Sequence, residues 1–289
     1  MRTAAILGLG CRPQSLDPFR STSTTTWSLG LPASHSDADA IAIFGGDGTL
    51  HRHLASLVKL QLPVLIVPAG SGNDFARALE LHHIKDSLLA WQRFEATGNN
   101  TRIIDLGTIM PLSSPETLHY FACVAGCGLD GEVARRANAL PRWLRARGGY
   151  VLSLPPALRA FHAPAMKLSI PDAASGTLTL HRDKRTLLIA FANAPAFGDG
   201  MKIAPQARLD DGLLDICTVD NIAGAKLLRL LPSVYFGKHL RYPEVEYMQS
   251  KEVRLETELP VDIYADGEYV CKTPVDLGVA PAALKVITN

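Results

Sequence analysis

Two glycine-rich turns and two short acidic turns hold the residues of this chain whose types and spacing suit chemistry. Gly45-Gly46-Asp47-Gly48-Thr49 follows the apolar run Ala40 to Phe44, and Gly70-Ser71-Gly72-Asn73-Asp74 follows Pro63 to Val67 with Pro68-Ala69 between. Each leads into residues with helical spacing. Glycine lets the backbone come close to a ligand, and the first N–H groups of a helix are open to an anion. Asp47 inside the first turn points to a metal-bound phosphate rather than phosphate alone. Further along stand Asp210-Asp211-Gly212 and Asp266-Gly267-Glu268. Alone, each reads as an Asp-Gly hairpin turn. Beside the glycine turns they supply the carboxylates that metal-assisted phosphoryl transfer uses.

Other motifs carry less. The first turn is not a P-loop, since no Gly-Lys-Ser/Thr follows. Gly126-Cys127-Gly128-Leu129-Asp130-Gly131 matches a dinucleotide fingerprint in form, but the acid expected about 20 residues on is missing. It reads as a turn packing a helix against a strand, with Asp130 directed at a cleft. His51, His53, His82 and His83 are spaced to point to different faces of their elements and are read as surface or core residues. Arg135, Arg136, Arg142, Arg145 and Arg147 surround Leu140, Trp143 and Leu144. They form either a solvated helix face or a basic surface resting on anionic lipid.

The elements that position these residues divide in two. Residues 3–107 alternate strand and helix: strands at Thr3 to Leu9, Thr24 to Leu29, 40–44 and 63–67, and a helix on Leu50, Leu54, Leu57 and Val58. After about residue 108, strand-like runs dominate: 119–125, 166–170, 177–181, 186–192, 213–219, 252–256, 261–264 and 284–287. Helical patterns fall only near 131–147, 151–161 and 222–240. An α/β domain followed by a β-rich one is the expectation.

The chain has 289 residues, a formal net charge of +1 and 47% hydrophobic residues, which suits a globular protein with a real core and gives no support for a nucleic-acid partner. Its five cysteines are odd in number and form no CxxC pair, the pattern of reduced thiols in a cytoplasmic protein. No run reaches the ~18 apolar residues of a membrane span. Any membrane contact is therefore expected to be peripheral, at the inner face. Oligomeric state has no signature in the residues.

Taken in order, the motifs resemble the diacylglycerol kinase catalytic domain family, which includes bacterial diacylglycerol kinase-like lipid kinases and the sphingosine and ceramide kinases. The matching residues are Gly45 to Thr49, Pro68 to Arg77, Asp105-Leu106-Gly107, Ala125 to Asp130, Lys202-Ile203-Ala204-Pro205 through Asp215, and Ala265 to Glu268. Gly8-Leu9-Gly10-Cys11-Arg12-Pro13 stands where the family usually has Asn-Pro-x-x-Gly, and Ser71 where Thr is common. The resemblance implies an α/β ATP-binding domain over 1–107, a β-sandwich-like lipid-substrate domain over 108–275, residues 276–289 packing back onto the first domain, and an active site in the interdomain cleft, as in the NAD kinase and diacylglycerol kinase folds. It implies ATP on Gly45, Gly46, Asp47, Gly48, Thr49, Gly70, Ser71, Gly72, Asn73 and Asp74, with Mg²⁺ near Asp47. It implies Glu268 as general base with Asp266 beside it, and a structural Mg²⁺ on Asp211 with the carbonyls of Arg208 and Leu213. The implied activity is phosphorylation of a lipid hydroxyl. The alternatives are a soluble-substrate kinase of NAD kinase type and a non-catalytic nucleotide- or lipid-binding module.

Overall fold

The computed structural model describes residues 1–22, 24–141, 153, 156–158, 161–172, 175–198 and 200–289, without the side chains of residues 130, 134, 138 and 225. The chain forms two compact units, residues 1–106 with 281–289, and residues 107–280. The unit boundaries fall inside two long strands, β5 (Thr101–Pro111) and β15 (Val275–Ile287).

In the first unit a parallel sheet runs β2 (Thr26–Leu29), β1 (Arg2–Leu7), β3 (Ala40–Gly45), β4 (Val64–Pro68), and then the last residues of β15, where Val286 pairs with Val64. Every residue of β3 and β4 is buried. Continuous apolar runs are what a parallel strand covered on both faces requires. The short helix α1 (Asp17–Arg20) precedes β2, and helix α2 (Asp47–Leu60) follows β3 and buries Leu50, Leu54, Leu57 and Leu60, a single stripe at helical spacing. It stops at Gln61, which is left-handed at φ 53°. The second glycine turn leads into the short helix α3 (Asp74–Ala78), and α4 (Ile84–Thr97) comes next. Buried Trp91 anchors α4, with the Trp27 ring 5.1 Å away and the Ser87 hydroxyl donating to the Ile66 carbonyl at 2.8 Å. Helix α4 ends on Gly98 at φ 67°, a residue that takes this conformation without steric cost.

The second unit is a two-sheet antiparallel arrangement. One sheet pairs the first residues of β15 with β12 (Glu252–Thr257), then β8 (Ala165–Pro171), then the first half of β9 (Leu178–Ala192). The other runs β14 (Glu268–Lys272), β13 (Asp262–Ala265), β7 (Val124–Gly128), the second half of β9, β10 (Leu214–Asp220), β11 (Val245–Ser250). Met166, Leu168, Val253 and Leu255 from one sheet and Ile189, Phe191, Ile216 and Ile263 from the other belong to one buried cluster. Short β6 (His119–Phe121) pairs with β5, and Gly107 sits under the Phe121 ring, where a Cβ would fall 2.0 Å from it. Helices α5 (Leu129–Ala139) and α6 (Gly224–Val234) contribute to a second cluster with Leu187 and Val219. Among the described residues no helix is long and apolar enough to cross a membrane.

Several expected elements differ. The strand expected over 119–125 is two strands, β6 and β7, interrupted at Ala122 and Cys123. The runs 177–181 and 186–192 are one strand, β9. Strand β11 was not expected, nor was the full length of β5 and β15. Helix α5 begins at Leu129, and the part of the expected helix 131–147 beyond residue 141, with Arg142, Trp143, Leu144, Arg145 and Arg147, lies outside the described residues, as does the expected helix 151–161 apart from residues 153, 156–158 and 161. The side chain of Asp130 lies outside them too. The Gly126–Gly131 motif is a strand–turn–helix junction. Gly128 takes φ 111°, and a Cβ there would sit 2.5 Å from the Leu187 carbonyl oxygen.

Candidate active site

The first unit brings its two glycine turns into direct backbone contact. A Cβ on Gly70 would fall 2.4 Å from the Gly46 Cα, and one on Gly46 would fall 2.9 Å from the Gly70 Cα. Neither position has room for a side chain, because backbone lies opposite backbone. Gly45 is closed in by Thr49, whose side chain would meet its Cβ at 2.6 Å, and Gly8 by the same Thr49 hydroxyl at 2.4 Å. The glycine of the first βα junction is thus packed into the turn.

Carboxylate and amide side chains fix the shape. Asp47 accepts hydrogen bonds from the backbone N–H of Asp74 at 3.0 Å (Oδ2) and of Phe75 at 3.1 Å (Oδ1). It holds the N-terminus of α3 from the neighbouring turn, a charge-assisted contact with the positive end of a helix. Asn73 is left-handed at φ 56° and closes its own loop twice: its Oδ1 accepts from the Gly70 N–H at 2.9 Å, and its Nδ2 donates to the Gly70 carbonyl at 2.8 Å. Arg77 donates to the Gly72 carbonyl and stands 3.4 Å from the Asp74 carboxylate. In the first turn the Arg52 guanidinium donates to the Gly48 carbonyl at 2.9 Å.

The amides of Gly46, Ser71, Gly72 and Asn73 meet no acceptor among the described residues. Successive N–H groups without acceptors, in turns too crowded for side chains, make a nest for an anion.

In the second unit Asp266 and Gly267 are the central residues of the β13–β14 hairpin, at φ 51° and 85°. Two positive φ values in a two-residue loop give the turn that matches strand twist. The Asp266 carboxylate accepts from the backbone N–H of Ala122 and Cys123, both at 2.8 Å, and of Val124 at 3.3 Å. This is what interrupts the expected strand: three amides turn to a side chain 142 to 144 residues away instead of to a sheet partner. Asn193 supports the same segment, donating from Nδ2 to the Ala122 carbonyl at 3.0 Å. Asp266, expected beside the general base, holds this segment through three backbone hydrogen bonds. Glu268, two residues on at the head of β14, is exposed.

The third motif lies before β10. Leu213 donates its backbone N–H to Asp211 Oδ1 at 3.1 Å, and Gly212 is left-handed at φ 71°. Asp215, which the motif contains but which had no expected role, is fully buried. Its Oδ1 accepts from the Tyr247 hydroxyl and from Gln249 Nε2, while its Oδ2 has no hydrogen-bond partner among the described residues. Burial pushes its carboxyl above the ordinary carboxylate range; the Tyr247 and Gln249 hydrogen bonds oppose this, and the charge of Asp211 adds to it. An unsatisfied buried carboxylate oxygen next to a second acid is the donor chemistry that a hard cation or its bound water satisfies.

The second unit also holds an open apolar cavity of about 70 Å³. Leu129 and Val133 of α5, Leu187 and Val219 of the sheet, and Leu227 and Leu230 of α6 stand in its wall, and among the described residues His239 is the one polar side chain there. Its imidazole is buried, with Nε2 2.9 Å from the Ile203 carbonyl, and burial holds it below its ordinary value despite that contact.

Comparison with known proteins decides the family. A family model described as the diacylglycerol kinase catalytic domain matches residues 27–109, and one described as the YegS C-terminal NAD kinase beta sandwich-like domain matches residues 123–288. A diacylglycerol kinase of Mycobacterium tuberculosis is 33% identical over 249 residues, spanning 86% of this chain and 76% of that protein. The chain belongs to the diacylglycerol kinase family of lipid kinases. A Staphylococcus aureus diacylglycerol kinase is 24% identical over 251 residues, spanning 84% of this chain and 72% of that one. Solved structures match in fold. A diacylglycerol kinase from Bacillus anthracis has a TM-score of 0.69 at 17% identity, covering 100% of this chain and 97% of the other. An NAD kinase from Archaeoglobus fulgidus in complex with ATP has a TM-score of 0.56 at 13% identity, covering 100% and 94%. The expected two-domain fold, an α/β domain followed by a β-sandwich-like one, is the fold of this diacylglycerol kinase family member.

Proposed function

We propose that this kinase uses ATP and Mg²⁺ to phosphorylate the hydroxyl of a lipid acceptor, acting in the cytoplasm at the inner face of the membrane. The observation that carries the reading is the nest of amides at Gly46, Ser71, Gly72 and Asn73, which meet no acceptor among the described residues and lie in two turns that exclude side chains. Four N–H groups suit the phosphate oxygens of a nucleotide, and Gly45, Gly48, Thr49, Gly70 and Asp74 give the nest its shape. Phosphoryl transfer asks the protein for positioning and charge balance more than for covalent chemistry.

Asp47 orients α3, so the same residue that neighbours the bound phosphates sets the direction of the amides around them. Asp211, with the carbonyls of Arg208 and Leu213, would hold a structural Mg²⁺, and the unsatisfied Oδ2 of Asp215 supports an oxygen-bound cation or water in that region. Magnesium at the phosphates, near Asp47, would supply positive charge against the charge that develops on the transferring group. Glu268 accepts the proton of the acceptor hydroxyl, and Asp266 holds its hairpin in place. The apolar cavity of the second unit supports an acceptor with a hydrocarbon chain.

The test is transfer from γ-labelled ATP in Mg²⁺ to mixed-micelle lipid alcohols, with NAD as the soluble acceptor and Glu268→Gln as control. Label in lipid that disappears in the variant is the expected result. Label in NAD alone, or in lipid with the variant at parent rate, overturns the reading.

A further inference from the structure

Helix α6 has two differently employed faces. Leu227, Leu230 and Val234 are buried and stand in the cavity wall. Leu228 is 54% exposed, and just past the helix end Tyr235 and Phe236 are exposed, Phe236 at 73%. Leu228, Pro232 and Tyr235 follow at helical spacing along this outer side. Lys226, Arg229 and Lys238 are exposed around them, and residues 221–243 contain no carboxylate. Lys226 pairs with Glu244, and the Lys238 ammonium lies 5.9 Å from the centre of the Phe236 ring. Arg229 meets no carboxylate among the described residues.

We propose that this outer face, from Lys226 to Lys238, is the surface through which the protein docks on an anionic lipid bilayer. Charge of one sign around solvent-facing aliphatic and aromatic side chains is the composition of a helix that lies in the headgroup region. A water-exposed phenylalanine costs solvation that the acyl boundary recovers, and the cations meet lipid phosphate. The same helix walls the apolar cavity, so docking on this face places the cavity's outer wall at the depth where acyl chains begin. The inference deepens the lipid-kinase reading by naming the surface that meets the membrane, and its test separates the two.

The experiment is flotation of the full chain, without ATP, with phosphatidylcholine vesicles that contain or lack phosphatidylglycerol. Parent protein is expected to float only with phosphatidylglycerol, and less so as salt rises. Leu228→Ser/Phe236→Ser and Arg229→Glu/Lys238→Glu are each expected to weaken binding about tenfold or more. Their melting temperatures and their turnover on detergent-dispersed acceptor should stay at the parent level. Lys59→Glu/Lys85→Glu, the same charge change on the first unit, is expected to leave binding unchanged. Failure of the parent to float overturns the proposal and assigns the face to a protein partner or a second copy. Parent-level binding by both α6 variants, or an equal loss in the Lys59/Lys85 variant, also overturns it. Floating without any turnover sustains the surface while overturning the kinase reading; turnover without floating does the opposite.

Discussion

The glycine turns of the first unit and the β13–β14 hairpin of the second are built on the same device and present opposite charge. In each, an aspartate reaches out of its own turn and accepts backbone N–H groups of a neighbouring segment: Asp47 those of Asp74 and Phe75, Asp266 those of Ala122, Cys123 and Val124. In the first unit the amides left over belong to crowded glycine loops, and the result is an electropositive nest. In the second the anchored turn carries Glu268, and the result is an exposed carboxylate. A carboxylate that organises backbone is not thereby the carboxylate that reacts, and the two must be told apart by what each touches.

Glu268→Gln should show the largest effect. Loss of a general base is expected to lower turnover about 10²- to 10⁴-fold while nucleotide affinity and melting temperature hold, since the residue is exposed. Steady-state rates with equilibrium ATP binding check it; parent-level turnover would break the contrast outright. Asp266→Asn comes next. The amide keeps one acceptor but turns a donor toward one of three buried N–H groups, at about 1–3 kcal/mol. Thermal unfolding should show that loss, with turnover falling and nucleotide affinity unchanged. Asp47→Asn is the mirror experiment: a smaller loss of stability, with two amides at stake, and weaker nucleotide binding. If the two variants exchange phenotypes, the assignment of nest and base is reversed. Gly70→Ala sharpens the first half of the comparison, because its methyl would fall 2.4 Å from the Gly46 Cα, with Asn73 Oδ1 at 3.1 Å; on the order of 1–3 kcal/mol of strain is expected, with nucleotide affinity falling alongside.

The smallest effect separates the units by acid sensitivity. Burial holds His239 below its ordinary value of 6.5, so the unfolded chain binds a proton there before the folded chain does. Stability from this group is complete above about pH 6.5 and is lost as pH falls from there toward the lower folded value. His53 in the first unit shifts the same way, through burial first and the Arg52 charge second. His239→Gln should flatten the decline of melting temperature with acid, and His53→Gln should flatten it less, because His239 is fully buried and His53 is not.

The first unit was largely legible because its signals are local. The apolar runs before each glycine turn and the spacing of Leu50, Leu54 and Leu57 lie within a few residues of the turns they position. The second unit hides its logic in contacts between distant residues. The strand expected at 119–125 breaks because Asp266 takes its amides. The charged run Arg182-Asp183-Lys184-Arg185 looks like a turn, yet it continues β9, since it pairs with β8 and the Arg182 guanidinium is met by Asp220 and Glu246. Asp215 sits in β10, whose residues Leu214 to Val219 are all buried, so burial alone does not single it out. Only Tyr247 and Gln249, on the partner strand, show that one of its oxygens is engaged and the other is not. The linking role of Asn73 and Arg77 within their own loop follows from a left-handed residue and a carbonyl aimed back at the helix, neither of which spacing discloses.

The first unit is closed by residues 281–289: Val286 extends the parallel sheet beside Val64, the Thr288 N–H donates to the Asn100 carbonyl at 3.0 Å, and the Ala282 N–H donates to Asp105 at 2.7 Å. Those residues are translated after the whole of the second unit. On the ribosome the first unit must therefore wait, with the β4 edge unpaired, until the second has been made, and any premature stop in the second unit also leaves the first without its last strand.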